Sequence, residues 1–426
     1  MREGVVLDGH VAFGNALRAL RIDKGMSLSE LARAVNYSKS HLSRIETGGK
    51  RPTQALALRC DEVLTAGGRL IALAAGAKHR GKGKPVALAQ LPRAITGFEG
   101  RVEVLAELDA ALAGVDRQLD GQAVVTVIDG AAGAGKTAAV VNWAHQVVKY
   151  FPDGTMFADL HGFGPVGEPT EPRRVLRGFL KALGHCGKTL SNDVDHLAAA
   201  YRSALVGKRM LIVLDNAVNA EQVRPLLPAE SGCMVVVTSR SRLSGLVTRD
   251  GAVRVTMPAM TMVEGVNLLS RLTRTALDLD NETAERVVAA CDRLPLSVRI
   301  AAERGWRGDL LPTARCDAHT LLSRLSTVDD ETSTMSAVLS WSYRRLAPEA
   351  GHAFRVLGVH SCGDIAAPDA AMLLETSTTR ARQLLDALSD IHLLEALPGD
   401  RYRFGGIMRA FAVECARRAE VRGGRT

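Results

Sequence analysis

A chain of 426 residues has room for two to four domains, and 46% hydrophobic with 23% charged residues is the composition of globular material. No apolar run approaches the roughly 18 residues of a membrane span, Met1-Arg-Glu-Gly opens no signal peptide, and seven scattered cysteines form no C-x-x-C pair. Membrane, secreted disulfide-rich and zinc-module classes are thereby set aside, and a reducing cytoplasm is the expected compartment. The net charge of +8 is uneven: residues 1–90 hold 15 Lys and Arg against 7 Asp and Glu, while the remainder balances at 39 of each. That excess favours a polyanion partner for the N-terminal part.

In chain order, Phe13, Leu17, Leu20 and Ile22 mark a first amphipathic helix closed near Gly25. Ser27-Leu-Ser-Glu30 is a capping box for a second helix, with Leu28, Leu31, Ala32 and Val35 as its apolar face. A turn at Asn36-Tyr37 leads to Ser38, which caps a third helix running to about Thr47. Two further helices end near Ala75 and complete a five-helix bundle. Two short helices joined by a few residues form a helix-turn-helix, whose second helix enters the DNA major groove. The polar positions offered there are Ser38, Lys39, Ser40, Ser43 and Arg44, with Lys50 and Arg51 beside them for phosphate. Leu42 and Ile45 face inward. The run Leu28-Ser-Glu-Leu-Ala…Ser38-Lys-Ser-His-Leu-Ser-Arg-Ile-Glu-Thr-Gly48 resembles a Cro/repressor-type (XRE-like) DNA-binding domain.

Lys78-His-Arg-Gly-Lys-Gly-Lys-Pro85 reads as a basic, Gly-rich tether inside a linker over 78–92. Next comes Ala123 to Thr137, AVVTVIDGAAGAGKT: an apolar strand followed by Gly130-x-x-x-x-Gly135-Lys136-Thr137, the spacing of a phosphate-binding loop that opens a helix. Gly130, Gly133 and Gly135 let backbone N–H groups turn toward phosphate, Lys136 neutralises the β/γ-phosphates, and the Thr137 hydroxyl ligates Mg²⁺. Met210-Leu-Ile-Val-Leu-Asp215 is a strand ending in a carboxylate suited to the same Mg²⁺. Its neighbour Asn216 cannot take a proton from water, which predicts at most a slow ATPase acting as a switch. A further strand over 234–238 leads to Arg240, placed to sense a γ-phosphate. Strands at 123–128, 155–160, 210–215 and 234–238, with helices between and a closing strand at 252–257, predict a doubly wound parallel sheet over 93–257.

Beyond Pro258 the pattern is helical, at 262–277, 281–292 and 296–305, giving a helical subdomain over 258–330. From 331, helices near 346–358, 367–375 and 379–390 precede a hairpin-like Leu393 to Phe404, the outline of a winged helix. The predicted fold class is therefore multidomain and mainly α, with a central α/β P-loop domain, an N-terminal bundle over 1–77 and a winged-helix-like domain over 331–426.

Residues 93–418 resemble the NB-ARC class of STAND signal-transduction ATPases, and most closely the actinomycete regulators of secondary metabolism. The matching text is Phe98-x-Gly100-Arg101, the phosphate loop, Phe151-Pro-Asp-Gly154…Asp159-Leu-x-Gly162-Phe, Val213-Leu-Asp-Asn-Ala217, Val237-Thr-Ser-Arg240, Leu294-Pro295-Leu296, Trp341-Ser-Tyr343 and Tyr402-Arg-Phe404. The resemblance implies that Gly100 and Arg101 lie near the adenine and ribose and that Pro295 packs on the adenine. It also implies a closed ADP form and an open ATP form that assembles as a homo-oligomer. Three positions depart from that pattern: Arg293 replaces a glycine and is expected to crowd the adenine side, Val104 replaces an acid, and Gly405-Gly406 replaces the His-Asp pair that ties the β-phosphate of ADP. Loss of that tie predicts weak ADP-locking and a drift toward the open form, unless Arg403 or Arg409 compensates. The helical sensor repeats of that class are expected to be absent from these residues.

Together these readings predict a transcription regulator in which ATP/ADP with Mg²⁺ controls binding to double-stranded DNA, without a membrane partner. Two rivals stand beside it: a signalling or defence scaffold whose N-terminal domain binds protein, and a P-loop kinase or brisk ATPase.

Overall fold

The computed structural model describes residues 9–50, 52–71, 73–74, 87–117, 122–165, 167–185, 191–273, 280–305, 322–325, 334–360 and 363–423. Arg51, the basic run 78–85 and the last turn of the helix expected to reach 277 lie outside them. The chain divides into two units, Met1–Val86 and Ala87–Thr426.

In the first unit the helices Gly9–Asp23, Leu28–Ala34, Lys39–Glu46 and Gln54–Leu64 surround a core that includes Phe13, Leu17, Leu31, Leu42, Ile45 and Leu56, each fully buried. Short-range chemistry sets the boundaries. The Ser27 hydroxyl accepts from Glu30 N while the Glu30 carboxylate accepts from Ser27 N, so two donors of the helix start are satisfied reciprocally. Asn36 makes the intervening turn at φ +57°, a region that asparagine tolerates better than most residues. The Ser38 hydroxyl then accepts from His41 N to start the third helix. Arg21 forks onto the Glu46 carboxylate at 2.7 and 2.9 Å and ties the first helix to the third.

The second unit is built on a six-stranded parallel sheet in the order β1-β3-β4-β5-β2-β6, with β1 Leu88–Ala89, β2 Val124–Gly130, β3 Gly154–Asp159, β4 Met210–Ala217, β5 Met234–Ser239 and β6 Val253–Met257. Alternate residues of the central strands enter different cores, as in β4, where Leu211 and Val213 join one and Ile212 and Leu214 the other. Covering both faces is what a parallel sheet requires, and it explains the unbroken apolar runs of β4 and β5. One face is covered by helices Val102–Arg117 and Lys136–Val147, the other by Pro172–Ala182 and Val194–Leu205. Residues 88–89, read from sequence as linker, instead form the edge strand β1, paired in parallel with Gly154 and Thr155. Two residues are too few to display the alternation by which a strand is recognised.

The core that contains Leu211 and Val213 continues without a break through the helices Met262–Thr273, Asn281–Ala290 and Pro295–Glu303 into the C-terminal region. There, helices Met335–Tyr343, Pro348–His360, Ala367–Leu373 and Thr378–Asp390 accompany a small antiparallel sheet of β7 Ile365–Ala366, β9 Arg401–Arg403 and β8 Glu395–Leu397. A final helix, Gly406–Gly423, follows directly. It had no counterpart in the sequence reading, whose elements ended at Phe404.

Candidate functional site

The strand β2 delivers the chain to the phosphate-loop turn and the helix Lys136–Val147 resumes from it. Gly133 and Gly135 sit at φ +78° and +89°; a Cβ at Gly133 would crowd Leu296 (3.2 Å), and one at Gly135 would touch Pro295 (3.5 Å). The loop is therefore packed against the start of helix Pro295–Glu303. The Lys136 ammonium folds back on the loop, donating at 2.8 Å to the Gly130 carbonyl and at 2.8 Å to that of Ala131. Burial, helped by the positive charge of Arg240, lowers its pKa to about 7.

Thr137 and Asp215 come together from segments far apart in sequence. The Thr137 hydroxyl donates to Asp215 Oδ1 at 2.8 Å, and the Thr238 hydroxyl donates to the same oxygen at 2.5 Å. Burial raises the Asp215 pKa, the two hydroxyls opposing it. A buried carboxylate beside a hydroxyl is a hard-oxygen donor set, which fits Mg²⁺. Between Leu214 and Ala217 the β4–β5 register shifts, and Asn216 sits at φ +58°. Its amide clamps a neighbouring loop: Oδ1 accepts from Phe163 N at 3.2 Å and Nδ2 donates to the Phe163 carbonyl at 2.9 Å. Asp159, in register with Asp215 on β3, is a carboxylate that the sequence reading did not bring near. It accepts from His161 N at 2.7 Å and is not among the cavity-lining residues.

Arg240 leaves the end of β5 and is bound by the C-terminal region. Nη1 donates to the Val338 carbonyl at 2.5 Å and to Ser342 Oγ at 3.1 Å, both on helix Met335–Tyr343. The guanidinium lies 5.2 Å from the Phe163 ring centroid and 5.4 Å from that of Trp341. Burial lowers its pKa to about 10, so it remains charged near neutrality.

These groups border a cavity of about 520 Å³ at the carboxyl ends of the strands, where open α/β sheets bind ligands. Gly133, Gly135, Lys136, Thr137, Asp215 and Arg240 line it, as do Arg101, Pro295, Phe163 and Trp341. Gly100 and Gly130 are not lining residues. The Arg101 guanidinium, expected near the adenine and ribose, lies at the cavity wall and donates to the carbonyls of Pro258 (2.7 Å) and Ala134 (2.8 Å). Its backbone N–H is held by Glu264 at 2.5 Å, so it braces the phosphate loop against the helical subdomain. Arg293 does not crowd the cavity: it is exposed at φ +54° and absent from the lining. Val104 is buried core. Trp341 and Phe163 received no cavity role from sequence, because nothing in their spacing announces that they converge on Arg240.

Gly405 and Gly406 also stand away from the cavity lining. The N–H groups of Gly406 and Ile407 donate to the Asp292 carboxylate at 3.0 and 2.6 Å, a tie to the helical subdomain that the sequence reading of these glycines did not include. The compensating arginines have other partners: Arg403 pairs with Asp364 at 2.5 Å and Arg409 donates to the Gly358 carbonyl at 3.3 Å. A second tie joins His392 Nε2 to Asp129 Oδ2 at 3.2 Å, on the residue before Gly130.

In the first unit, Ser38, Lys39, Ser40, Ser43, Arg44 and Lys50 are all exposed, while Leu42 and Ile45 are buried. A polar row on one side of a short helix, with its apolar side in the core, is the geometry by which such a helix meets a groove.

A helix-turn-helix domain model matches residues 12–74, and an NB-ARC domain model matches residues 106–271. Regulatory protein AfsR of Streptomyces griseus is 38% identical over 338 residues, which cover 78% of this chain and 34% of that protein. The AfsR of Streptomyces coelicolor is 36% identical over 340 residues, covering 78% and 33%. The chain thus spans about a third of the length of these curated relatives. Among solved structures, a STAND protein with a tetratricopeptide repeat sensor from Pyrococcus horikoshii aligns at 17% identity with a TM-score of 0.35, over 78% of this chain and 44% of that one. The ORC2 protein of Aeropyrum pernix, in ADPNP and ADP complexes, aligns at 14% identity with a TM-score of 0.46, over 76% and 96%. Among the described residues no helix is long and apolar enough to cross a membrane.

Proposed function

We propose, for a chain that carries a helix-turn-helix domain and an NB-ARC domain, a DNA-binding transcriptional regulator of secondary metabolism whose DNA binding is set by ATP against ADP. The observation that carries this reading is Arg240. It stands in the same cavity as Lys136, Thr137 and Asp215, yet its Nη1 is given to helix Met335–Tyr343. A γ-phosphate would compete for that group, and the C-terminal region would feel the difference. Lys136 would exchange two loop carbonyls for phosphate oxygens and regain its full charge. Thr137 and Asp215 would hold Mg²⁺, which when bound supplies charge neutralisation. Pro295 and Arg101 border the same space, suited to the base and ribose side. Nucleotide shifts such a switch only by its differential affinity for the two forms.

The enzyme rival is disfavoured by Asn216, whose amide is committed to the Phe163 backbone and is no proton acceptor. A turnover above about one per minute without a partner would favour that rival. The open form is expected to assemble as a homo-oligomer. The test is calorimetric titration of ATP and ADP, followed by selection of genomic DNA fragments with either nucleotide or neither. Binding of both nucleotides and nucleotide-dependent recovery of particular duplex fragments are expected. Absence of DNA recovery in all conditions would return the protein-binding scaffold.

A further inference from the structure

The last helix starts without a cap of its own. Helix Gly406–Gly423 opens on Gly405-Gly406, neither of which has a side chain, and no acidic residue stands in its first turn. The first amide groups of any helix lack acceptors within it. Here the acceptor comes from 114 residues away, with Asp292 Oδ1 receiving Gly406 N and Oδ2 receiving Ile407 N. Asp292 ends the helix Asn281–Ala290 at φ +49°, and Arg293 follows at φ +54°. This double left-handed turn is a strained conformation for two non-glycine residues. The two glycines make the approach possible: a Cβ at 405 would stand 2.8 Å from Oδ2, and one at 406 would stand 3.1 Å from Oδ1.

We propose that Asp292 is a latch, an intersubdomain carboxylate that ties the C-terminal region directly to the helical subdomain, protein to protein and not through a bound phosphate. Closure in this chain then does not depend on bound ADP. The pair His392–Asp129, the histidine 14% exposed and the aspartate fully buried, fastens the same region beside the phosphate loop. The latch stands on its own contacts, whereas its consequence for regulation rests on the nucleotide site proposed above.

The test is hydrogen–deuterium exchange of the Gly406 and Ile407 amides in the full chain, nucleotide-free and saturated with ADP, with ADP binding measured by calorimetry on the same sample. Protection is expected to be equal in the two states within about threefold, and to fall about tenfold or more in both Asp292→Ala and Gly405→Ala. Asp292→Asn, which keeps one acceptor oxygen, is expected to fall between. Protection that develops only with ADP would overturn the proposal, as would exchange in both variants at the parental rate. Circular dichroism checks folding; if Asp292→Ala fails to fold, Gly405→Ala and the parent comparison decide. Failure of ADP to bind would remove the nucleotide reading and leave the latch to be judged on the variants.

Discussion

Helix Lys39–Glu46 offers its exposed side chains from one unbroken stretch, whereas the cavity of the second unit draws its walls from Pro92 through Trp341. The first arrangement is made by neighbours: caps three residues apart and one ion pair 25 residues apart. The second is made by bonds between distant segments, such as Thr137 to Asp215 across 78 residues and Arg240 to Val338 across 98. The difference teaches where sensitivity should lie. A locally built surface fails only when its own core or row is damaged. A surface gathered from distant segments responds to anything that moves one segment against another, and that responsiveness is what a switch needs.

The comparison predicts separable damage. Leu42→Ala removes a fully buried side chain and should cost about 2–5 kcal/mol, a large share of a small domain's stability. DNA binding should be lost in gel shifts while calorimetric nucleotide titration stays as in the parent. The converse variant, Lys136→Ala, should weaken nucleotide binding by about 100-fold or more, since each charged hydrogen bond is worth about 1.5–3 kcal/mol. Its nucleotide-free DNA binding should be unaltered, and unchanged nucleotide affinity would dismiss the phosphate-loop assignment.

A smaller effect probes the row itself. Arg44→Ala should lose about 1–3 kcal/mol of sequence discrimination if its fork meets a guanine, and Lys39→Ala should act mainly on affinity. Both are read by competition with mismatched duplexes, and the parent's affinity should fall steeply with salt. If neither substitution changes affinity or preference, the recognition helix is misassigned.

A fourth effect, spread over pH, is a dependence of nucleotide affinity on the Lys136 proton. In the free protein Lys136 has a pKa of about 7. Below that pH it is already charged; above it, binding an anion must recover the missing proton. Affinity should therefore fall as pH rises from about 7 to 9, by at most about tenfold per unit. Titration at pH 8 in buffers of different ionisation enthalpy should show proton uptake. Affinity that is flat across this range would mean that the ammonium stays charged in the free loop.

Most of the architecture was legible because it rests on local chemistry. The capping box at Ser27, the inward Leu42 and Ile45, and the apolar runs that became β2, β4 and β5 all declare themselves within a dozen residues. The edge strand Leu88–Ala89 did not, being two residues long and defined by its partner. The cavity was half legible: the motif spacing of Lys136, Thr137 and Asp215 pointed to one site. The clamp of Asn216 on Phe163, the stacking of Arg240 and the reach of Asp292 to Ile407 are tertiary facts with no periodicity behind them. Gly405-Gly406 shows the difference most plainly. In sequence it reads as a missing tie, and in the structure it is the space that a distant carboxylate occupies.

The most direct measurement is the DNA affinity of the full chain by fluorescence anisotropy, on a selected fragment, with a non-hydrolysable ATP analogue, with ADP, or with neither. Nucleotide-free and ADP-bound protein should bind alike, and the ATP analogue should change the affinity by about fivefold or more, the lower range of allosteric coupling. Arg240→Ala should abolish that change while leaving nucleotide bound. Identical DNA affinities in all three states, with calorimetry showing the cavity filled, would contradict a nucleotide-controlled regulator.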